Sequence, residues 1–584
     1  MRTRPLLIAG AAALALTIPA LAQQANQAAP AQPSTNVAAP ATAATPGASL
    51  STGPGESEVA ITEISAENLP APPPPVEYPA HARRDPWVVG QLDPMQIGLG
   101  DNPWGGASGA FLSILMRRMD TPIASRWAHM ALRDALLARI RAPRGVNPVD
   151  WVAERAWLLL RLGEADAARM LVAGVDTDRF TPKMTQVAVQ AALAAADPPA
   201  LCPIEESIRR YDPAIRALVT AMCTSLSGEP ESAAAQIDQA RRFGRIGGID
   251  LNLAEKVVGT GANTGRSVTI EWDPVEQLTA WRFGLATATG MVPPDRLIRS
   301  ASPQLRAFQA RAPLLSPQQR LDSARIAAGL GVFSSQSLID LQSAIYDSTD
   351  PGDLPDTDAW QLRQAFVGKD RDTRLGAIRK LLGNESDPLR REAARALVAR
   401  AATLVEPDAE LEADAPELIS AMLSAGYDRA ASRWAGAVRR MNGDGADRAW
   451  AMLALASADP RGVDISVGRI NGFIGRDKSP GKVRSALLVA GLAGLGRISQ
   501  NAADVLSRRN GLGVGRHTSW TEIIDAAAGR GQAGTVLVLT GTGFQSRSWN
   551  NIPGSHLFHV VSALRRTGQD FTARMIAAEA LSRT

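Results

Sequence analysis

Asn147-Pro-Val-Asp-Trp-Val-Ala-Glu-Arg-Ala-Trp-Leu-Leu-Leu-Arg-Leu-Gly163-Glu-Ala-Asp-Ala-Ala-Arg-Met-Leu-Val-Ala-Gly-Val175 is the stretch on which the fold turns. Asn147-Pro148 is an N-cap followed by the residue that best tolerates the first helical position. Val152, Ala153, Ala156, Leu159 and Leu160 then fall on one helical face. Gly163 ends the helix, and Ala168, Leu171, Val172 and Val175 form the face of a second one. The last thirty residues repeat the scheme: Leu557, Val560, Val561 and Leu564, a stop at Gly568, then Ala573, Ile576, Ala577 and Ala580. Gly163-x4-Ala168-Arg-Met-Leu171 matches Gly568-x4-Ala573-Arg-Met-Ile576, and looser copies lie at Gly228/Ala233 and Gly426/Ala431. Another hairpin turns at Gly383, with Asp387 as N-cap and Pro388 at the first position. One hairpin cannot bury its own apolar face, so hairpins must stack. The expectation is an all-α fold, an irregular right-handed superhelix of stacked helical hairpins.

Composition agrees with helices packed through small side chains. Hydrophobic residues are 45% of the 584, but aromatics only 5%, so Ala, Leu and Val supply most of the apolar surface. That excludes an all-β protein, which needs more β-branched and aromatic residues, and also a fully disordered chain or a multi-span membrane protein. Only Val268–Trp272 and Val536–Thr540 look strand-like, and both are short enough to be buried loop or helix.

The N-terminus carries an export signal. Arg2 and Arg4 precede an apolar run, Leu6 to Ile18, and Ala20-Leu21-Ala22 places small residues for cleavage after Ala22. The run is too short to span a bilayer, so residues 1–22 are expected to be a signal peptide. Residues 23–84 are rich in Ala, Pro, Thr, Gln and Ser and carry five acids with no base before Arg83. Such a segment reads as an extended linker. A helical domain 85–345, a turn- and acid-rich linker 346–358 and a second helical domain 359–584 follow. Cys202 and Cys223 flank a helix, a turn at Tyr211-Asp212-Pro213 and a returning helix, which brings them level. In an oxidising compartment a disulfide is favoured; two free buried thiols are the alternative.

The hairpins resemble tetratricopeptide-type repeats, without the Trp, Tyr and Pro those repeats place at set positions. Through Ala254-Glu-Lys-Val-Val-Gly-Thr-Gly261 and Trp281-Arg-Phe-Gly-Leu-Ala-Thr-Ala-Thr-Gly290, the span 85–584 is similar to large exported helical proteins of α-proteobacteria that carry no assigned activity. The resemblance implies an α-solenoid in a Gram-negative periplasm, and no particular chemistry.

Searching for chemistry yields little. Formal charge is +4, too balanced for a nucleic-acid partner. Only six of the 62 basic residues are Lys, an excess of Arg that GC-rich codons produce. Gly259-Thr-Gly-Ala-Asn-Thr-Gly265-Arg-Ser267 and Gly511-Leu-Gly-Val-Gly515-Arg-His517 fit a phosphate loop poorly, because a helix precedes the first and neither has the P-loop Lys. Ser479-Pro-Gly-Lys482 matches an S-x-x-K string, but Ser479 reads as an N-cap. His556-x-x-His559 lacks an obvious third ligand, so both are expected at the surface or rim. The twelve Trp read as core anchors, with a sugar platform as the other possibility. No catalytic, cofactor-binding or metal-binding residues are assigned. The sequence points to a non-catalytic periplasmic scaffold or protein-interaction protein, with cell-envelope assembly as the process it would serve. Its partner would be another envelope protein. The alternative is an envelope protein that binds or cleaves peptidoglycan or another glycan. No nucleic acid and no integral membrane span are expected.

Overall fold

Ser, Thr, Asp or Asn followed by Pro opens helix after helix. In the computed structural model, which describes residues 79–261, 268–383 and 385–584, Asn147 Oδ1 accepts from the backbone N–H groups of Val149 (2.9 Å) and Asp150 (3.2 Å) at the start of helix Pro148–Leu162. Thr181 caps Pro182–Ala194, Asp212 caps Pro213–Leu226, Ser302 caps Pro303–Arg311 and Asp387 caps Pro388–Ala402 in the same way. Ser316 adds a full capping box with Gln319 at the start of Pro317–Leu330. Proline costs nothing at the first helical position, where its missing N–H has no partner to lose.

The described residues of Arg84–Thr584 are mainly helical, with one antiparallel pair of two-residue strands, Val88–Val89 and Ile140–Arg141, and longer non-helical stretches at 84–108 and 268–279. By its contacts the chain divides into Met1–Arg83 and Arg84–Thr584. In the first unit the described residues carry one short turn, Ala80–Ala82. The expected signal peptide and most of the expected linker lie outside the described residues. No described helix is long and apolar enough to cross a membrane.

The four Gly-x4-Ala copies share one geometry. Gly163, Gly228, Gly426 and Gly568 have φ of +93°, +90°, +80° and +84°. This left-handed conformation reverses the chain and is strained for any residue with a Cβ. Ala168, Ala233, Ala431 and Ala573 are each 0% exposed. A methyl at that point lets two helices approach closely. Ala573→Leu is therefore expected to overpack the crossing and cost about 2 kcal/mol in denaturant unfolding; an unchanged midpoint would refute the crossing role.

Helix Pro148–Leu162 is buried on more than the face the sequence marks, with Trp151, Glu154 and Arg155 inside as well. Val536–Thr540 lies in helix Ala533–Gly543, which is buried almost all round. An apolar run without periodicity is what such a helix looks like. Val268–Trp272 has no regular structure. The acid-rich segment 346–358 joins helices Ser335–Asp347 and Asp358–Val367, where the rings of Tyr346 and Trp360 stack 6.4 Å apart.

Side chains near both ends of Arg84–Thr584 share one apolar cluster, running from Val89 to Leu581, with two further clusters around 188–286 and 307–397. Helix Arg126–Leu137 packs against Ala533–Gly543 and Asp570–Ser582. Stacking of sequence neighbours alone does not produce contacts of that range.

Candidate functional site

Several buried or half-buried arginines in this fold work on helix ends. The last four carbonyls of a helix lack partners within it and carry partial negative charge. Arg155 donates to the Leu136 (2.8 Å) and Ala138 (2.8 Å) carbonyls at the end of helix Arg126–Leu137, and to Val89 (2.9 Å). Arg126 donates to Ala328 (2.8 Å) and Ser424 (2.5 Å), closing the ends of Pro317–Leu330 and Ala415–Ser424. Arg497 serves Ala454 and Ser457 at the end of Gly443–Ala456, and Arg574 serves Ala456 there. Burial lowers Arg155 to about 9 and Arg497 to about 10, so both remain charged at neutral pH. A guanidinium spreads several donors over one plane, which an ammonium cannot reproduce. Arg155→Lys is expected to strand at least one carbonyl and cost about 2 kcal/mol in thermal or urea unfolding; a change near zero would exclude this role.

The Cys pair is closed. Cys202, in the short helix Pro198–Ile204, and Cys223, in Pro213–Leu226, form a disulfide with their Cα atoms 5.6 Å apart.

An open cleft of about 520 Å³ sits at one of the four glycine reversals. Thr403, Tyr427, Asp428, Arg429 and Arg433 line it around Gly426. Gly426 is wedged against two rings: a Cβ there would lie 3.2 Å from Trp127 and 3.3 Å from Phe571. Those rings meet edge to face at 5.4 Å. Asp428 accepts from Arg574 (2.8 Å), and Arg433 donates to the Thr403 carbonyl (2.9 Å). Arg429 makes no ion pair with a described residue, and Tyr427 is exposed. The lining brings a phenol, a threonine, a carboxylate and two guanidinium groups to the cleft. A smaller cavity of 230 Å³ lies between Arg117, Asp150, Glu154 and Lys183. Its buried Glu154 is already satisfied by Arg117 and Lys183.

The sequence candidates fare differently. Gly259–Gly261 ends helix Gly248–Gly261, while residues 262–267 of that glycine-rich stretch lie outside the described residues. Gly511–His517 follows helix Gln500–Asn510 and precedes Ser519–Gly529, so a helix again stands where a phosphate loop has a strand. Ser479 precedes a short turn and accepts from Arg484 N–H (3.1 Å). The cap of helix Val483–Gly494 comes mainly from Asp477, which accepts from Ser485 N–H (2.9 Å) and Oγ (2.6 Å). Burial alone would raise the Asp477 carboxyl, but the bonds from Ser485 and Ser479 together hold it below the usual range. Of the twelve Trp only Trp87 is exposed.

The histidines require a correction. His559 is not at the rim; it is 2% exposed on helix Gly554–Arg566, with Nδ1 2.7 Å from Asp525 Oδ2. His129 is equally buried and meets Glu164 at 3.0 Å. His556 and His559 have separate partners, since His556 Nδ1 bonds the Gly543 carbonyl (3.0 Å) and its ring rests on Trp520 (4.5 Å). The ring that stands beside His559 is His517, at 5.6 Å. Burial lowers the His559 pKa although Asp525 acts to raise it. Among the described residues no group of three His, Cys, Asp or Glu is placed to hold a metal ion.

No protein-family model, curated protein or solved structure matches this chain.

Proposed function

We propose that this chain is a non-catalytic interaction protein of the bacterial periplasm, exported by the signal peptide 1–22 and tethered through the linker 23–84. In this proposal the hairpins wind into an irregular right-handed superhelix, of tetratricopeptide-like character, closed on itself where Ser125 and Arg126 meet Glu579. The observation that carries it is the coincidence at Gly426. One of the four Gly-x4-Ala chain reversals also borders an open cleft of about 520 Å³, with Tyr427 and Arg429 turned to solvent. A surface presented by stacked hairpins is how solenoid proteins bind partners. The disulfide and the lack of a long apolar helix among the described residues fit a soluble exported protein. The partner proposed is another envelope protein.

The test is in-cell photo-crosslinking from position 427 in the native host, with position 243 as the control, since Phe243 is 80% exposed at the end of helix Pro230–Phe243. One protein adduct from 427, absent from 243 and lost in Arg429→Glu, is the expected result. The ring and guanidinium lining also suits a glycan. Crosslinks to peptidoglycan fragments in place of a protein would move the assignment to wall binding. Adducts equal at both positions would reject both.

A further inference from the structure

We propose that His559 and His517 form a two-imidazole binding site for a borderline divalent cation of the Zn²⁺, Ni²⁺ and Cu²⁺ class. The inference is independent of the interaction role proposed above. It starts from the tautomer of His559. Asp525 Oδ2 can only accept, so the 2.7 Å bond places the imidazole proton on Nδ1. Asp525 is itself held, its Oδ1 accepting from Arg566 Nη2 at 2.6 Å. The Nε2 lone pair is then the free end of the ring. It is buried, and no described group bonds to it. A buried polar atom left without a partner calls for an explanation.

A histidine that donates one ring N–H to a carboxylate and keeps the other nitrogen free has the arrangement found around metal ions. The carboxylate fixes tautomer and ring orientation and makes the free nitrogen a better donor. A second imidazole is at hand. The His517 ring lies 5.6 Å from His559, centroid to centroid, at 70° between planes. Two imidazoles on one tetrahedral ion, with metal–nitrogen bonds of about 2.0–2.1 Å, hold their ring centres roughly 5 Å apart. His517 is exposed and makes no hydrogen bond to a described residue, so its ring is free to swing toward an ion. It follows the glycine-rich stretch Gly511-Leu-Gly-Val-Gly515, in which Gly511 and Gly513 both have φ of +66°. Among the described residues no third protein ligand stands in place, so any water on the ion would have to enter from the side of the exposed His517. Neutral imidazole suits this class of ion, and among its members Cu²⁺ binds a given nitrogen site most tightly.

The test is titration of the full mature chain with Cu²⁺ against a competing chelator, with electron paramagnetic resonance of the complex. The expected result is one tight copper per chain whose spectrum carries two imidazole nitrogens. His517→Ala should remove one nitrogen from the spectrum and abolish the tight class; at an exposed, unbonded position it leaves the fold intact. Asp525→Asn should weaken binding roughly 10–100-fold through the orientation of His559. Copper held with unchanged affinity and spectrum in His517→Ala would assign it to scattered surface groups and overturn the proposal. Absence of a tight class in the native chain would do the same.

Discussion

Glu579→Ala is expected to destabilise Arg84–Thr584 by about 3–5 kcal/mol, the usual cost of leaving one side of a buried ion pair uncompensated. The carboxylate is 5% exposed and fully engaged. Its Oε1 accepts from Arg126 N–H (2.8 Å) and from Arg583 Nη1 (2.7 Å). Its Oε2 accepts from Ser125 Oγ (2.6 Å) and Trp127 N–H (3.2 Å). Two of these donors are the first amides of helix Arg126–Leu137, where the helix dipole favours negative charge. Without Glu579, the repulsion of Arg583 on Arg126 loses one of its two counterweights and leaves Glu392 as the other acid acting on Arg126. Glu579→Gln keeps an acceptor but loses the charge, and should fall between wild type and alanine. Guanidinium unfolding followed by circular dichroism measures both. The cost should shrink when Arg583→Ala is already present, because the two residues share one interaction. A loss below about 1 kcal/mol for Glu579→Ala would mean that the region relaxes without it.

The second large effect is expected from Cys202→Ser with Cys223→Ser. The bridge spans 21 residues of sequence, and opening a loop of that size costs about 3 kcal/mol in the chain-entropy account. The loss has an address. Cys223 belongs to the cluster around 188–286, and Cys202 packs against it. Hydrogen exchange should accelerate first in helices Glu205–Tyr211, Pro213–Leu226 and Pro230–Phe243. Helix Asp570–Ser582, which belongs to the other end of the chain, should keep its protection. Uniform acceleration would mean that the clusters unfold together and that the bridge secures the whole unit.

What the sequence revealed and what it hid divide along the range of the interactions. N-caps, proline at the first helical position and the glycine reversals are local, and Asn147, Asp387, Gly163 and Gly568 all do in the structure what their spacing implies. The helix at Val536–Thr540 was not legible, because burial on all sides erases the periodicity that identifies a helix. The burial of His559 was missed for a related reason. Its position on the helix suggested an outward ring, but the neighbouring helix Ser519–Gly529 covers that side and supplies Asp525. The cleft at Gly426 takes its walls from Thr403, residues 426–430 and Arg433, and Gly426 itself packs against Trp127 and Phe571. No spacing rule connects those positions. The arginines are the clearest case. Arg126 reaches a carbonyl 202 residues away and another 298 away, so its helix-ending role is invisible in a chain where arginine is simply common.

The hydrogen bond from Ser125 to Glu579 joins residues 454 apart in sequence. A chain made from its N-terminus onward therefore extends helix Arg126–Leu137 long before the carboxylate that secures its first turn exists. Contacts of this separation raise contact order and slow folding, since a long loop must close before the contact repays it. The N-terminal third cannot reach its final packing as an independent intermediate, and its apolar faces wait exposed until helix Asp570–Ser582 arrives. A chain broken anywhere before that last helix is left with an unfinished core at both ends.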